Sequence, residues 1–235
     1  MLSFEILSPE DMVEIDRLQT EQQQEWKAVP AGGRTVDLDG IELLVMPGVF
    51  PPRPDTRLLM ASLAIDSGDA VLDLGTGTGV LAIWASNQGA ARVLATDIAG
   101  AAAYNARQNV ERLQFGASIE VRSGNMFACV SRFETFDKIL ANLPGRNKAA
   151  ADDTEAAQWD TDFEAHRELF EGARNHLSRG GAIYMAQANY PDLPATIELA
   201  ESNGFRASVI GEAAADDDPR IYYALKFDLA EEADS

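Results

Sequence analysis

The sequence predicts an α/β fold, a mostly parallel sheet with helices on both faces and a helical arm ahead of it. Three observations carry that prediction. From Ala70 onward, short apolar runs alternate with segments of helical period, the pattern of strands joined by helical crossovers. The run Val71-Leu-Asp-Leu-Gly-Thr-Gly-Thr-Gly-Val80 passes from a buried strand through a glycine-rich turn into a helix. The chain has 235 residues, 46% of them hydrophobic, enough for one large core without cross-links.

Taken in order, Ser8-Pro9-Glu10-Asp11 reads as a helix start, with Ser as N-cap, Pro in the first turn and acids at the positive end of the dipole. Met12, Ile15 and Leu18 continue at helical spacing, and the helix extends to about Trp26. Ala31-Gly32-Gly33 breaks it, and Val36 to Met46 forms a hairpin turning at Asp39-Gly40. Pro47 to Pro54 is irregular, and Asp55 to Ile65 is helical. Strands follow at Ala70 to Leu74, Arg92 to Asp97, Ile119 to Arg122, Lys138 to Asn142 and Ala182 to Gln187. Helices lie between and after them at Val80 to Gln88, Ala99 to Phe115, Phe163 to Leu177 and Leu193 to Asn203. Ala207 to Ile210 and Ile221 to Phe227 close the sheet as an antiparallel hairpin, giving a seven-stranded, Rossmann-like arrangement. Residues 1–56 read as an N-terminal helix, hairpin and covering segment, and 57–235 as the ligand-binding domain. Asp216-Asp217-Asp218 reads as a solvated loop and Glu231 to Ser235 as a frayed tail.

Lys and Arg number 19 against 38 Asp and Glu, a net charge of -19. Such a surface repels phosphate backbones, so nucleic acid is a disfavoured partner. One cysteine and two histidines exclude a Cys/His zinc cluster and an internal disulfide, and no metal is expected. No apolar run reaches the roughly 20 residues of a membrane span, and Met1 to Leu7 lacks a secretion signal's basic and long apolar stretches. The expectation is a soluble, cytoplasmic protein with no membrane partner.

The glycine turn has the spacing G-x-G-x-G, with Val80 where a dinucleotide fingerprint places its third Gly or Ala, and no Gly-Lys-Ser/Thr follows. Asp73, two residues before Gly75, would oppose a pyrophosphate but suits a ligand carrying an ammonium and a sulfonium. S-adenosylmethionine is such a ligand. Asp97, at the end of the next strand, suits a pair of ribose hydroxyls, and Asn125 and Met126 follow the third strand where an adenine edge and face would lie. All these positions fall at the carboxyl ends of parallel strands, where open sheets bind ligands.

In these residues the chain resembles the class I S-adenosylmethionine-dependent methyltransferases, over roughly Ile41 to Gln187. The segment Val49-Phe50-Pro51-Pro52-Arg53-Pro54-Asp55-Thr56 and the Asn142-Leu-Pro-Gly145 motif resemble in particular the small-domain and release-factor glutamine methyltransferase group. The resemblance implies that Asp73, Gly75 and Gly77 surround the methionine part of the cofactor, with Thr76 and Gly79 in the same turn. It implies Asp97 at the ribose and Ile98, Asn125 and Met126 around the adenine. Phe50, Arg53 and Thr56 would cover the cofactor and border the acceptor, and Asn142, Leu143 and Pro144 would be catalytic.

The group's motif is Asn/Asp-Pro-Pro-Tyr/Phe, so Leu143 and Gly145 depart from it. The lost aromatic removes a stacking platform worth about 1–3 kcal/mol in base-stacking cases, which weakens the case for a glutamine amide or adenine acceptor. Asn142 can still accept a hydrogen bond from a nucleophilic nitrogen. Methyl transfer needs mainly in-line positioning, so the lack of an obvious histidine near Asn142 is no objection. The leading reading is N-methylation of a small molecule or protein group. An alternative on the same fold is a cyclase or lyase that turns the cofactor into azetidine-2-carboxylate and methylthioadenosine, and a third is a non-catalytic subunit.

Other residues divide between function and packing. The segment from Arg146 to Phe163, with Trp159, reads equally as a lid or a surface loop. Arg53 and Arg146 read as carboxylate clamps or as ordinary ion pairs. His166 and His176 are expected on one helix as surface or packing residues, and Cys129 and Trp84 in the core. Tyr104 follows the second strand, toward the expected adenine position, but is not counted as a site residue, whereas Tyr190 is the better pocket residue.

Overall fold

The computed structural model describes residues 2–230. Helix α1 (Pro9–Lys27) starts as its sequence dictates: Asp11 N donates to Ser8 Oγ (3.1 Å) and Ser8 N donates to the Asp11 carboxylate (2.9 Å). Strands β1 (Arg34–Leu38) and β2 (Ile41–Val45) form the expected hairpin. Asp39 and Gly40 both have positive φ (52° and 86°), which a two-residue turn of the right twist requires. Helix α2 (Pro54–Ser62) follows the proline-rich segment.

The alternating half forms one seven-stranded sheet with the order β5-β4-β3-β6-β7-β9-β8. Its strands are β3 (Ala70–Leu74), β4 (Arg92–Asp97), β5 (Ile119–Ser123), β6 (Phe136–Ala141), β7 (Leu177–Ala188), β8 (Phe205–Ala214) and β9 (Ile221–Leu229). Only β9 runs against its neighbours. The helices are α3 (Val80–Asn87), α4 (Gly100–Arg112), α5 (Asp153–Ala156), α6 (Glu164–Ala173) and α7 (Leu193–Ser202). Strand side chains alternate between two cores. Leu72, Leu74, Ile139 and Ile183 pack with α6 and α7, while Val71, Leu140 and Ala186 pack with α2 and α3.

The chain leaves β3 toward β4 and β5, then returns to place β6 on the other side of β3. A crevice opens outside the carboxyl ends of β3 and β6 at this reversal. The turn after β3 and the Asn142 motif after β6 both line it.

Several local expectations are corrected. The helix expected through Leu177 ends at Ala173, because Leu177 pairs with Phe136 and the strand runs from there to Ala188. His176 is therefore not on the helix with His166, and both are buried. The last sheet-bonded residue of β6 is Ala141, so Asn142 stands just beyond the strand. Cys129 is half-buried in a short 3-10 turn and not in the core, whereas Trp84 is buried as expected. Asp218 is not a solvated loop residue: it accepts from Arg220 Nε (2.8 Å), and Arg220 is buried. Residues 231–235, expected as a frayed tail, lie outside the described residues. Among the described residues no helix is long and apolar enough to cross a membrane, and no group of metal-ligating side chains is present.

Candidate active site

The glycine turn is shaped by its own backbone. Gly75, Gly77 and Gly79 all adopt positive φ (68°, 56° and 83°), a region costly for side chains with a Cβ. At Gly79 a Cβ would also lie 3.2 Å from the Cβ and 3.3 Å from the Cα of Ala106 on α4. The turn is thus packed on a neighbouring helix as well as bent, and it leads straight into the N-terminus of α3.

Two carboxylates support the turn in different ways. Asp97, at the end of β4, accepts from Gly77 N (2.9 Å) and Ala99 N (2.9 Å), and it lines the cavity. Burial raises its pKa above the ordinary carboxylate value, against the lowering effect of those two hydrogen bonds. Asp73 lies beneath the turn, outside the cavity lining. Its Oδ2 accepts from Thr76 Oγ1 (2.6 Å) and Ala82 N (3.1 Å), tying turn to helix, and burial pushes its pKa up to about 7. Its Oδ1 is buried without a partner. Asp73 thus reaches the cavity only through Thr76, which does line it.

The cavity above the turn measures about 430 Å³, within the range of small-molecule and cofactor sites. Ile98 and Met126 border it, and Ile98 is 71% exposed although apolar. An apolar side chain left open in a cleft is a fitting neighbour for a planar ring. Asn125 is also there, its Nδ2 donating to both oxygens of Glu168 on α6 (3.0 and 2.8 Å). Phe50 and Thr56 line the cavity as well.

A second, narrow cavity of about 50 Å³ adjoins the first. Phe50, Asn142, Leu143, Pro144 and Ala157 line both, so the motif after β6 is their common wall. Asn142 Nδ2 donates to Thr56 Oγ1 (3.1 Å), which fixes the amide and leaves Oδ1 as its free acceptor. Arg53 and Tyr190 line the narrow cavity and not the large one. A Cβ at Gly145 would lie 3.3 Å from the Tyr190 ring, so glycine here makes room for Tyr190. Tyr104 is half-exposed and lines neither cavity.

The expected loop from Arg146 to Phe163 is fastened to α1. Gln23 Nε2 donates to Gln158 Oε1 (2.8 Å), Trp159 Nε1 to Gln19 Oε1 (3.3 Å), and Lys27 Nζ to Asp152 Oδ2 (2.6 Å). Trp159 is buried and borders the large cavity. Arg146 is no free clamp: it is buried and donates to Asp16 (2.7 Å) and Gln19 (2.5 Å).

Sequence reasoning missed a buried group behind the narrow cavity. Asp160 accepts from His166 Nδ1 (2.6 Å), and Gln187 Nε2 donates to His166 Nε2 (2.5 Å). Gln187 lines the narrow cavity with Asn142, so a histidine does stand one residue behind that motif. Nothing in the local pattern marks it, since the three residues come from a loop, a helix and a strand.

The sheet order, the ligand crevice at the reversal and the glycine turn without phosphate-binding chemistry define a class I S-adenosylmethionine-dependent methyltransferase fold. The profile of the methyltransferase small domain matches residues 40–205, and the chain belongs to that family, whose cofactor is S-adenosylmethionine. The release factor glutamine methyltransferase of Bordetella pertussis is 34% identical over 172 residues, 66% of this chain and 61% of that protein. The ribosomal protein L11 methyltransferase of Lactobacillus johnsonii is 32% identical over 148 residues, 63% of this chain and 40% of that protein. This chain thus spans less than two thirds of either relative. A solved 16S rRNA N2 G1207 methyltransferase of T. thermophilus, in complex with AdoMet and guanosine, shares the fold at a TM-score of 0.59 and 19% identity. The match covers 84% of this chain and 50% of that one.

Proposed function

We propose that this protein transfers a methyl group from S-adenosylmethionine to a nitrogen of a protein side chain or small molecule, in the cytoplasm. The observation that carries this reading is the wall at Asn142: a cofactor-sized cavity on one side, a narrow one on the other, and a fixed amide carbonyl between them. The residues of the large cavity fit the cofactor. Asp97 offers its remaining lone pairs to ribose hydroxyls, Ile98, Asn125 and Met126 border the adenine, and Gly75 and Gly77 expose backbone to the methionine part. Residues 1–56 serve as the segment that covers this site on the domain formed by 57–235.

S-adenosylmethionine, held by Asp97, Ile98, Asn125, Met126 and the backbone at Gly75 and Gly77, would supply an electrophilic methyl group and a thioether leaving group that keeps the C–S bonding pair. The acceptor nitrogen would give its lone pair to the methyl carbon and one N–H proton to solvent. The protein's part is orientation and exclusion of water. Asn142 Oδ1 accepts an N–H of the acceptor and turns its lone pair across the wall. Leu143 and Pro144 shape that wall, and Trp159 with α5 shields the cofactor side.

The narrow cavity favours a slender acceptor head over a nucleobase, and the net charge of -19 also disfavours nucleic acid. The relatives' names make a release factor glutamine and ribosomal protein L11 the first acceptors to try, with small amines beside them. The test is mass spectrometry of the full chain with S-adenosylmethionine, with and without each acceptor. Acceptor-dependent S-adenosylhomocysteine supports the proposal. Methylthioadenosine formed without acceptor replaces it by the cyclisation, and a chain that binds no cofactor fails it altogether. Asn142→Ala is expected to leave cofactor affinity within about threefold and to lower turnover on the order of 100-fold, the effect of removing one preorganised hydrogen-bonding group.

A further inference from the structure

The two cavities that share the Asn142 wall differ in charge. Among the described residues, the charged side chains lining the large cavity are Asp97, Asp153, Asp160, Glu164 and Glu168, with no Lys or Arg. The narrow cavity reverses this: two arginines, Arg53 and Arg220, line it with one carboxylate, Asp55. Asp55 is turned to the start of α2, where its Oδ1 accepts from Thr56 N (2.7 Å). In a protein of net charge -19, a small cavity with an excess of cations is the exception to the composition.

Two donors there lack acceptors. Arg53 is half-buried; its backbone N donates to Thr56 Oγ1 (3.3 Å), but among the described residues its guanidinium makes no hydrogen bond or ion pair. Tyr190 is 7% exposed. Its oxygen accepts from Gln19 Nε2 and Arg220 Nη1, both at 3.4 Å, which sets the hydroxyl between two further residues of the cavity wall. Among the described residues nothing accepts its O–H. Arg220 is already engaged, its Nε and Nη2 donating to Asp218 (2.8 and 2.5 Å). Burial would raise the Asp218 carboxyl, yet Arg220 and, to a lesser extent, the Arg53 charge hold it below the ordinary value, so Arg53 lies within Coulombic reach of that pair. A guanidinium without a partner and a buried hydroxyl proton without an acceptor are both costly to leave unpaired. One carboxylate satisfies both, because its two oxygens accept from a guanidinium fork and from a hydroxyl. The cavity of about 50 Å³ is several times the ~10–15 Å³ that a single water requires, which leaves room for a carboxylate.

We infer that the narrow cavity is a carboxylate subsite with Arg53 and Tyr190 as its donors, and that the acceptor brings the carboxylate. The inference rests on the methyl-transfer reading above and names the substrate class of that site: a small anionic acceptor of the amino-acid type. Its carboxylate sits on Arg53 and Tyr190 and its reacting nitrogen at Asn142. Arg53 and Tyr190 determine specificity and take no part in bond making. The cofactor's own carboxylate belongs with the glycine turn, and neither Arg53 nor Tyr190 lines the cavity that the turn lines. An acceptor that lacks the carboxylate leaves both donors unpaired, the kind of discrimination in which buried unpaired groups count most.

The test is NMR titration of the full chain, saturated with S-adenosylhomocysteine near neutral pH, with acetate and with acetamide, its neutral counterpart of the same shape. Acetate is expected to bind roughly tenfold or more tightly than acetamide, the scale of a hydrogen bond gaining a charged partner. Arg53→Gln keeps a donor but removes the charge. It is expected to abolish the preference for acetate while leaving S-adenosylhomocysteine affinity, by calorimetry, and melting temperature as in the parent. Tyr190→Phe removes only the hydroxyl and is expected to weaken acetate roughly tenfold. Equal binding of acetate and acetamide by the parent overturns the inference, as does either variant that keeps the parent's affinity for acetate. An Arg53→Gln protein whose S-adenosylhomocysteine affinity falls as far as its acetate affinity also overturns it, since Arg53 would then hold the cofactor's carboxylate. Failure of the parent to bind S-adenosylhomocysteine would instead strike the methyl-transfer reading, and acetate titration of the chain alone would still decide whether the carboxylate subsite exists.

Discussion

The two halves of the site are built at different distances along the chain. On the cofactor side the hydrogen bonds join near neighbours: Thr76 to Asp73 across three positions, Ala82 to Asp73 across nine, Gly77 to Asp97 across 20. On the acceptor side Asn142 meets Thr56 across 86 positions, Gln23 meets Gln158 across 135, and Gln19 meets Tyr190 across 171. The cofactor half is a strand, a turn and a helix start that almost dictate one another. The acceptor half exists only after α1, the loop before α6 and the ends of β6 and β7 have met. A change in the first should alter a shape, and a change in the second should alter an assembly.

The largest expected effect is at Asp73. With its carboxyl raised from 3.8 to about 7 by burial, the fold favours the protonated form. That contribution to stability is full below about pH 4, declines as pH rises through the window, and is lost above about 7. At about 1.4 kcal/mol per unit it amounts to a few kcal/mol. Asp73→Asn keeps an oxygen for Thr76 and Ala82 and never ionises. The melting temperature of the parent should therefore fall relative to the variant between about pH 4 and 7, and parallel curves would refute a buried, perturbed carboxyl.

Asp97→Ala comes next. It removes the acceptor for two backbone amides and, on the proposed reading, for the ribose, and affinity for S-adenosylhomocysteine by calorimetry should drop on the order of 10-fold to 100-fold, the scale of losing hydrogen bonds to a charged group. An unchanged affinity would move the cofactor off β4. Gly79→Ala tests the shape of the turn. A Cβ at φ +83°, close against Ala106, should cost roughly 1–2 kcal/mol and lower the melting temperature by several degrees.

The smallest effect is expected where α1 meets the loop ahead of α6, at Lys27→Ala. Both members of the Lys27–Asp152 pair are exposed, and such pairs contribute at most about 1 kcal/mol. A melting temperature within about 2 °C of the parent is expected. A larger loss would show that this pair, more than the buried Gln23–Gln158 contact, holds α1 to the loop over the cofactor.

What the sequence determined by itself was set by local geometry within a turn or a strand end. The boundaries of β3 and β4 were legible because apolar runs end at a glycine turn and at Asp97, and the capping residues of α1 were legible because Ser8, Pro9 and Asp11 act within one turn. The class of ligand followed from glycines without a phosphate-binding lysine. Tertiary structure decided the rest. Asp73 looks like a ligand residue by position, but the alternation of β3 turns it under the turn toward α3. Arg146 looks like a free cation, yet packing against α1 gives it Asp16 and Gln19. Gln187, His166 and Asp160 carry no shared pattern, because the contacts that define them lie between β7, α6 and the loop ahead of it. A hydrogen bond between residues three apart is written in spacing, whereas one between separate elements depends on how the sheet stacks its helices.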